Sequence, residues 1–184
     1  MRVLSGVLAC ALVLVFARKA DPASEFAPMT DAEARAVMAA PDRHVRAADR
    51  MMADVISSGL KRSGTFAHLV MALNKSDVIV YIEAGRVLPS TVVGRLLLAA
   101  GPEGTRYLRI QVSGHPGSAD MIALVGHELR HALEVAESPD VRDEAGLIAL
   151  YERIGHPSRA GGSHQYDTAA AQDAGRRVKA ELKG

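Results

Sequence analysis

The amino-acid sequence predicts an α+β fold with N-terminal helices, a sheet of about three antiparallel or mixed strands, and C-terminal helices. Two observations predict this order. Apolar side chains recur at helical spacing before residue 75 and again after residue 118. Between these blocks the chain contains short β-branched or alternating runs, which are typical of strands. Helices and strands that occupy separate blocks of a sequence indicate an α+β arrangement.

The first 17 residues differ from the rest of the chain. Arg2 is followed by an uncharged, largely apolar run over residues 3–17, and then by Arg18 and Lys19. A helix of that length would span about 22 Å, which is less than the roughly 30 Å hydrocarbon core of a bilayer. The pattern therefore predicts a cleaved signal peptide at residues 1–17 and a secreted or periplasmic protein. The alternative is an uncleaved membrane anchor formed by residues 3–17.

Three helices are predicted ahead of the strands, after a polar, proline-containing linker at residues 18–29. Thr30 is a good N-cap for the first helix, which should end near Ala40, just before a proline. The second and third helices are expected over residues 42–60 and 65–74, where apolar side chains keep helical spacing.

Three strands are predicted next. Residues 77–83 form a β-branched run, residues 92–100 an apolar run that ends at a Gly-Pro turn, and residues 105–113 alternate between polar and apolar side chains. Alternation of this kind indicates a strand with one face in the core and the other in solvent. Hairpin connections between these strands would make the sheet antiparallel or mixed.

Helices are predicted again after Ser118, which is a good N-cap residue. We expect them over residues 119–136, 141–154 and 168–182, with a flexible glycine-containing loop at residues 156–163.

Composition excludes several classes of protein. The chain of 184 residues has 22 Lys and Arg, 21 Asp and Glu, and 48% hydrophobic residues. This size allows one domain, over residues 30–184, and the charge balance argues against nucleic-acid or membrane binding by charge alone. Aromatic residues make up only 4%, too few for a platform that stacks single-stranded nucleic acid. Cys10, the only cysteine, lies in the predicted signal peptide, so an exported domain would depend on its core or on a metal.

The strongest functional signal is the sequence His127-Glu128-Leu-Arg-His131, an HExxH motif inside the predicted helix 119–136. Two histidines four residues apart on a helix are about 400° round its axis and about 6 Å along it, so both rings point the same way. Neutral imidazoles arranged like this can bind one Zn²⁺ ion, and Glu128 beside them can take a proton from water that the metal acidifies. A salt-linked surface helix is the alternative explanation of the same spacing.

The motif, and the order of helices, strands, active helix and further helices, resemble those of zincin metallopeptidases over about residues 65–175. The resemblance implies a small zincin-like fold and a zinc enzyme in which His127 and His131 are metal ligands and Glu128 is the general base. It also implies that the strand before the active helix, residues 105–113, is the sheet edge along which an extended peptide substrate binds.

The residues after the motif exclude a resemblance to one group of zincins, the metzincins. Metzincins continue HExxHxxGxxH, but this chain has Glu134 and Glu137 at those two positions and no methionine after Met121. The resemblance is therefore to gluzincins and aspzincins, which take a carboxylate from a later segment as the third zinc ligand. Glu134, a turn further along the same helix, is expected to accept a hydrogen bond in the second shell of the metal.

Asp167 is the preferred third ligand. It is followed by Thr168 and three alanines, which resembles the gluzincin segment in which small residues after the acid let two helices approach closely. Aspartate is one methylene shorter than the usual glutamate, so the helix after it must lie nearer the histidines. Glu144 is the alternative third ligand, and Asp143 is also within reach.

Tyr166 and His164, close to Asp167, are candidates for stabilising the oxyanion of a hydrolytic transition state, as are Tyr151 and His156. The sequence thus predicts an exported Zn²⁺-dependent peptidase that acts on peptide or protein substrates. It predicts no nucleic-acid partner, and contact with a membrane only through an uncleaved N-terminal segment. The alternative is a non-catalytic exported domain that keeps a structural zinc or serves in binding.

Overall fold

The structure, a computed structural model, describes residues 27–85, 93–99, 101–102, 104–115, 117–157 and 166–184. The predicted signal peptide, most of the predicted linker and His164 lie outside these residues. The helices within them are α1 (Asp31–Ala39), α2 (Arg50–Arg62), α3 (Gly64–Asn74), α4 (Ala119–Ala136), α5 (Glu144–Ile154) and α6 (Ala169–Glu181). The strands are β1 (Val45–Ala47), β2 (Val78–Ala84), β3 (Gly94–Ala99), β4 (Arg106–Val112), β5 (His156–Pro157) and β6 (Tyr166–Asp167). No helix in the described part of the chain has the length and hydropathy needed to cross a membrane.

Four strands form one mixed sheet in the order β1-β2-β4-β3. β1 and β4 run parallel to β2, whereas β3 runs antiparallel to β4. β5 and β6 form a small separate antiparallel pair. The predicted α+β class and a mixed sheet are therefore confirmed, but the main sheet has four strands instead of the three expected.

The additional strand, β1, lies where the sequence analysis predicts a helix over residues 42–60. That prediction is wrong at its start, because β1 pairs with β2. The backbone N–H of His44 donates to Asn74 Oδ1 at 2.8 Å, which holds the segment beside the end of α3. Helix α2 begins only after Asp49, whose side chain is its N-cap. An extended segment that depends on a side chain from another helix leaves no local sequence pattern.

The strand neighbours also differ from the prediction of consecutive hairpins. β2 pairs in parallel with β4, and among the described strands of this sheet only β3 and β4 form an antiparallel pair. β4 is therefore an inner strand, and the expectation that residues 105–113 form a sheet edge is wrong. The edge of the described sheet next to β4 is β3. Alternation along β4 reports which side chains are buried and carries no information on which strands flank it.

One face of the sheet packs against α2, α3 and α4 and forms the core with them. Ile82, Leu108 and Ile110 are fully buried there, and each stabilises the fold by about 1.5–3 kcal/mol through the hydrophobic effect. The opposite face is more exposed and carries Tyr81 and Tyr107, whose rings stack with centroids 6.5 Å apart.

Arg106 ties the sheet to the C-terminal end of α4. Its side chain is buried, and its guanidinium donates to the carbonyls of Val135 and Ser138 at 2.8 and 2.9 Å. The same group pairs with Asp77 Oδ1 at 2.6 Å. A cation is favourable here because the last carbonyls of a helix lack partners within the helix. The helix that carries the HExxH motif is thereby held at a defined position against the sheet.

Helix α6 lies against α4, and two glycines allow the close approach. A Cβ atom at Gly126 would lie 2.8 Å from Val178 Cγ2, and one at Gly175 would lie 3.2 Å from His127 Cβ. Larger residues at these positions would push the helices apart. The segment that leads into α6 can therefore reach the histidines.

Candidate metal centre

Helix α4 carries the HExxH motif and has the bounds that the sequence predicts. Ser118 is its N-cap, and its Oγ accepts a hydrogen bond from the Met121 N–H at 3.1 Å. His127 and His131 lie on the same side of the helix, with ring centroids 4.9 Å apart and ring planes inclined at 77°. One helix thus presents two imidazoles to the same point.

Asp167, at the end of β6, approaches both histidines. Its Oδ1 atom lies 3.4 Å from His127 Nε2 and 3.6 Å from His131 Nε2. The candidate ligand atoms of the three residues all lie within 4.8 Å of one another. His127, His131 and Asp167, the His/Asp cluster below, could hold a metal ion.

The β5–β6 pair and the start of α6 position Asp167. His156 lies opposite Asp167 in the strand pair. Thr168 is the N-cap of α6, and its own N–H donates to Asp167 Oδ1 at 2.7 Å. Of the three alanines expected to allow close helix approach, Ala171 is fully buried and the other two are exposed. The small-residue run therefore contributes to helix packing through Ala171.

Further polar side chains support the cluster. His131 Nδ1 lies 2.9 Å from Glu134 Oε2, and Thr168 Oγ1 donates to Glu134 Oε1 at 2.7 Å. Gln172 Nε2 donates to Asp167 Oδ2 at 2.9 Å. When the imidazole is neutral, a carboxylate at Nδ1 favours the tautomer with the proton on Nδ1, which leaves the Nε2 lone pair free for a metal ion. Glu134 thus lies where the sequence analysis expected a hydrogen-bond acceptor.

Burial and neighbouring charges shift the pKa values of the cluster in different directions. Burial, and then the charge of His131, lowers the pKa of His127. Burial by itself would lower the pKa of His131 too, but the carboxylates of Asp167 and Glu134 raise it to about 9. For Asp167, burial favours a higher pKa, and contacts with His131 and Gln172 outweigh it and lower the pKa. The cluster combines an ionised carboxylate with two imidazoles of unequal basicity.

Glu128 lies beside the cluster and is only 4% exposed. Burial raises its pKa to about 7, against the opposing effect of His131. The edge strand β3 covers this carboxylate, since a Cβ atom at Gly94 would lie 2.5 Å from Glu128 Oε1. Glycine at this position leaves the space that the carboxylate occupies.

The remaining residues singled out in the sequence lie in different places. Glu144, the alternative third ligand, is exposed in the first turn of α5 and is not part of the cluster. The Tyr166 hydroxyl donates to Glu152 Oε1 at 3.3 Å. Tyr151 is buried, and its hydroxyl donates to the backbone carbonyl of His131 at 3.2 Å. Its ring meets the His131 ring edge-on, with centroids 5.3 Å apart, so Tyr151 packs against His131.

Two residues of the site have no signal in the sequence. Gln172 contacts Asp167, and its Nε2 lies 3.3 Å from the Nε2 of the exposed His156. Gly94 adjoins Glu128 only because β3 passes over α4. Glutamine in a helix and glycine at the start of a strand are too common to point to a site. The N-cap role of Thr168, in contrast, can be predicted from the sequence, because threonine is a favoured N-cap residue.

These contacts define the class of site: a centre of two imidazoles and one carboxylate, with a buried glutamate beside it. Comparison of the chain with protein-family models, with curated proteins and with solved structures finds no match.

Proposed function

We propose that this chain is an exported, zinc-dependent peptidase of zincin type, in which His127, His131 and Asp167 bind Zn²⁺ and Glu128 is the general base. The observation that carries the proposal is the spacing of the ligand atoms. Two ligand atoms about 2.0–2.2 Å from a tetrahedral ion lie about 3.3–3.6 Å from each other. Asp167 Oδ1 lies 3.4 and 3.6 Å from the two histidine Nε2 atoms. Such distances are long for hydrogen bonds and suit a shared cation.

The chemistry of the donors favours zinc among the common metals. Two imidazole nitrogens and one carboxylate oxygen suit zinc, whereas Mg²⁺ and Ca²⁺ prefer sites made of oxygen alone. Three protein ligands, with a fourth position for water or substrate, are typical of catalytic zinc, while structural zinc has four protein ligands. The donor count therefore supports an enzyme over the alternative of a non-catalytic domain with a structural zinc. A carboxylate as third ligand, taken from a segment after the motif, suits the gluzincin- or aspzincin-like branch, although aspartate stands where glutamate is usual in gluzincins.

Several residues of the chain would have separate roles in hydrolysis. Bound zinc supplies a Lewis acid that polarises a peptide carbonyl and lowers the pKa of water. Glu128 accepts a proton from the attacking water and delivers it to the leaving amine nitrogen. Its carboxylate is buried next to Gly94. Tyr166 and His164, near the ligand Asp167 in sequence, are proposed to stabilise the oxyanion.

The edge strand β3 is the proposed site for the substrate backbone. It is the last strand on this side of the described sheet, and its first residue, Gly94, adjoins Glu128. An extended peptide that pairs with the outer edge of β3 would run past the His/Asp cluster. This strand takes the role that the sequence analysis assigns to residues 105–113.

The test is hydrolysis of a mixed peptide library by the purified protein. Activity should require one zinc per chain, disappear with a chelator and return with added zinc. Glu128→Gln should keep the zinc and lose about 10²–10⁴-fold in hydrolysis, because the proton acceptor is removed while the ligands stay. Glu137→Gln, at an exposed position just after α4, is the matched control and should leave the rate unchanged. Tight zinc binding without hydrolysis of any peptide would favour the non-catalytic alternative.

A further inference from the structure

A groove of about 750 Å³ adjoins the His/Asp cluster. It lies between the N-terminal half of α4, one face of α6, residues 113–115 after β4 and the residue that precedes β3. Its lining is largely apolar and includes Val93, Met121, Ala123, Leu124 and Gly175. His127 is also part of the lining, so a molecule in the groove would reach the cluster directly.

The two cationic side chains at the rim of the groove differ in how closely they are paired with carboxylates. Lys179 Nζ pairs with Asp120 Oδ1 at 2.6 Å, so these two lining residues neutralise each other. Arg176, the other lining cation, is loosely paired, because its Nη2 lies 3.5 Å from Asp173 Oδ1. Asp173 is already engaged by Arg177, whose Nε lies 2.7 Å from its Oδ2. The Arg176 side chain is 67% exposed, which leaves its guanidinium accessible to a ligand.

We propose that this groove selects peptides in which an apolar side chain stands close to an aspartate or glutamate; the inference rests on the peptidase function proposed above. The apolar side chain fills the groove, where burial favours binding, and the acidic side chain pairs with Arg176. A guanidinium is suited to this task because its fork of donors matches a carboxylate.

Helix geometry places the two parts of this recognition site within reach of one peptide. Gln172, Gly175, Arg176 and Lys179 all line the groove, and their spacing puts them on one face of α6. Gly175, part of the largely apolar lining, directly precedes Arg176, and consecutive Cα atoms are about 3.8 Å apart. An extended peptide advances about 3.3 Å per residue. The acidic residue should therefore lie one or two positions from the apolar one.

The test uses two fluorescent, C-terminally amidated peptides that differ only in a Glu or a Gln beside a Phe. Zinc-loaded wild type gives kcat/KM for each, and the zinc-loaded Glu128→Gln protein gives a Kd by fluorescence anisotropy. We expect the Glu peptide to be favoured about 2- to 5-fold in both measurements, as for an ion pair at a solvent-exposed site. The preference should shrink in high salt, since the guanidinium is exposed.

Variants test whether Arg176 causes the preference for the Glu peptide. Arg176→Gln should abolish it and leave the Gln peptide unaffected, whereas Arg176→Lys should retain part of it. Arg35→Gln, at an exposed position on α1, removes the same charge away from the groove and should keep the full preference. Replacing Phe by Ser in the Glu peptide should weaken binding at least about tenfold.

Each result separates this inference from the peptidase proposal. Cleavage of both peptides without a preference, or with one that Arg176→Gln retains, would overturn the groove's assignment and leave the peptidase standing. If a free C-terminal carboxylate on the Gln peptide raises its kcat/KM and its affinity as much as the Glu side chain does, the groove does not select an acidic side chain. Binding with a preference that Arg176→Gln abolishes, but without hydrolysis, would support the groove and contradict the peptidase. Neither binding nor hydrolysis would contradict both.

Discussion

Helix α4 takes part in two polar networks that are built differently. At its C-terminal end, Arg106 donates to the carbonyls of Val135 and Ser138 and to Asp77 over 2.6–2.9 Å. At the HExxH motif, Asp167 Oδ1 faces two imidazole nitrogens at 3.4 and 3.6 Å. The first network satisfies its donors and acceptors within the protein, so it stabilises the fold. The second brings one Asp167 oxygen to each of the two imidazoles at the spacing of a shared cation, so its full stability should depend on a ligand.

Removing Arg106 should produce the largest loss of stability. Arg106→Ala leaves the helix carbonyls and Asp77 without their cation, and we expect the free energy of unfolding to fall by about 3–5 kcal/mol. Urea unfolding at neutral pH measures it, and the loss should be the same with zinc or with a chelator. Arg109→Ala on the same strand removes a half-exposed pair with Glu83 and should cost less than about 1 kcal/mol. Equal losses for the two variants would show that water replaces the Arg106 network at no penalty.

Stability of the second network should respond to zinc. With free zinc at about 100 times its Kd, the native state gains about 2.7 kcal/mol. His131→Ala should remove this increment, because one of the three ligands is lost, whereas the exposed His115→Ala should keep it. Thermal melting with zinc and with a chelator measures both. A wild-type melting temperature that zinc does not change would mean that the cluster binds no metal.

The third ligand is tested by comparing Asp167 with Glu144. Asp167→Ala should weaken zinc binding by about 100-fold, or about 2.7 kcal/mol, as judged by competition with a chelating dye. Asp167→Glu should fall between wild type and Asp167→Ala, because it keeps an oxygen donor but must fit one more methylene. Glu144→Ala should leave affinity unchanged, since Glu144 is exposed on α5 and outside the cluster. The reverse order of the two alanine variants would reject Asp167 as a ligand.

Local signals explain what the sequence predicts correctly. The bounds of α4 follow from Ser118 as N-cap and from apolar side chains at helical spacing, and four-residue spacing brings His127 and His131 together. The small residues after Asp167 predict a close approach to the active helix, and Asp167 Oδ1 does lie 3.4 and 3.6 Å from the two histidine Nε2 atoms. Each of these inferences depends on a stretch of a few neighbouring residues.

Features that depend on distant parts of the chain were predicted poorly. β1 is three residues long, too short for a visible alternation, and the segment beside it is held by Asn74, 30 residues away from His44. The order of the strands depends on which edges meet, which alternation does not encode. Because the predicted strand order was wrong, the contact between Gly94 and Glu128 could not be predicted. Gln172 was missed because glutamine is common on helices.

The smallest effect concerns Asp77, the more exposed end of the Arg106 network. The hydrogen bond from Arg106 lowers the pKa of Asp77 below its ordinary value. A carboxylate with a lower pKa in the folded chain stabilises the fold above its unfolded pKa of about 3.9, and this contribution is lost as the pH falls through the folded pKa. Because the side chain is 51% exposed, solvent screening should keep the contribution below about 1 kcal/mol.

Asp77→Asn isolates this contribution. The difference in unfolding free energy between wild type and variant, measured by urea in a chelator, should be constant near neutral pH and shrink below about pH 4. Taking the difference cancels the titration of His131 and Asp167, which both proteins share. A difference that does not shrink at all as the pH falls below about 4 would mean that Asp77 acts through geometry and not through charge. Arg106 would then be held mainly by the carbonyls of α4, and the two networks would differ even more in their dependence on pH.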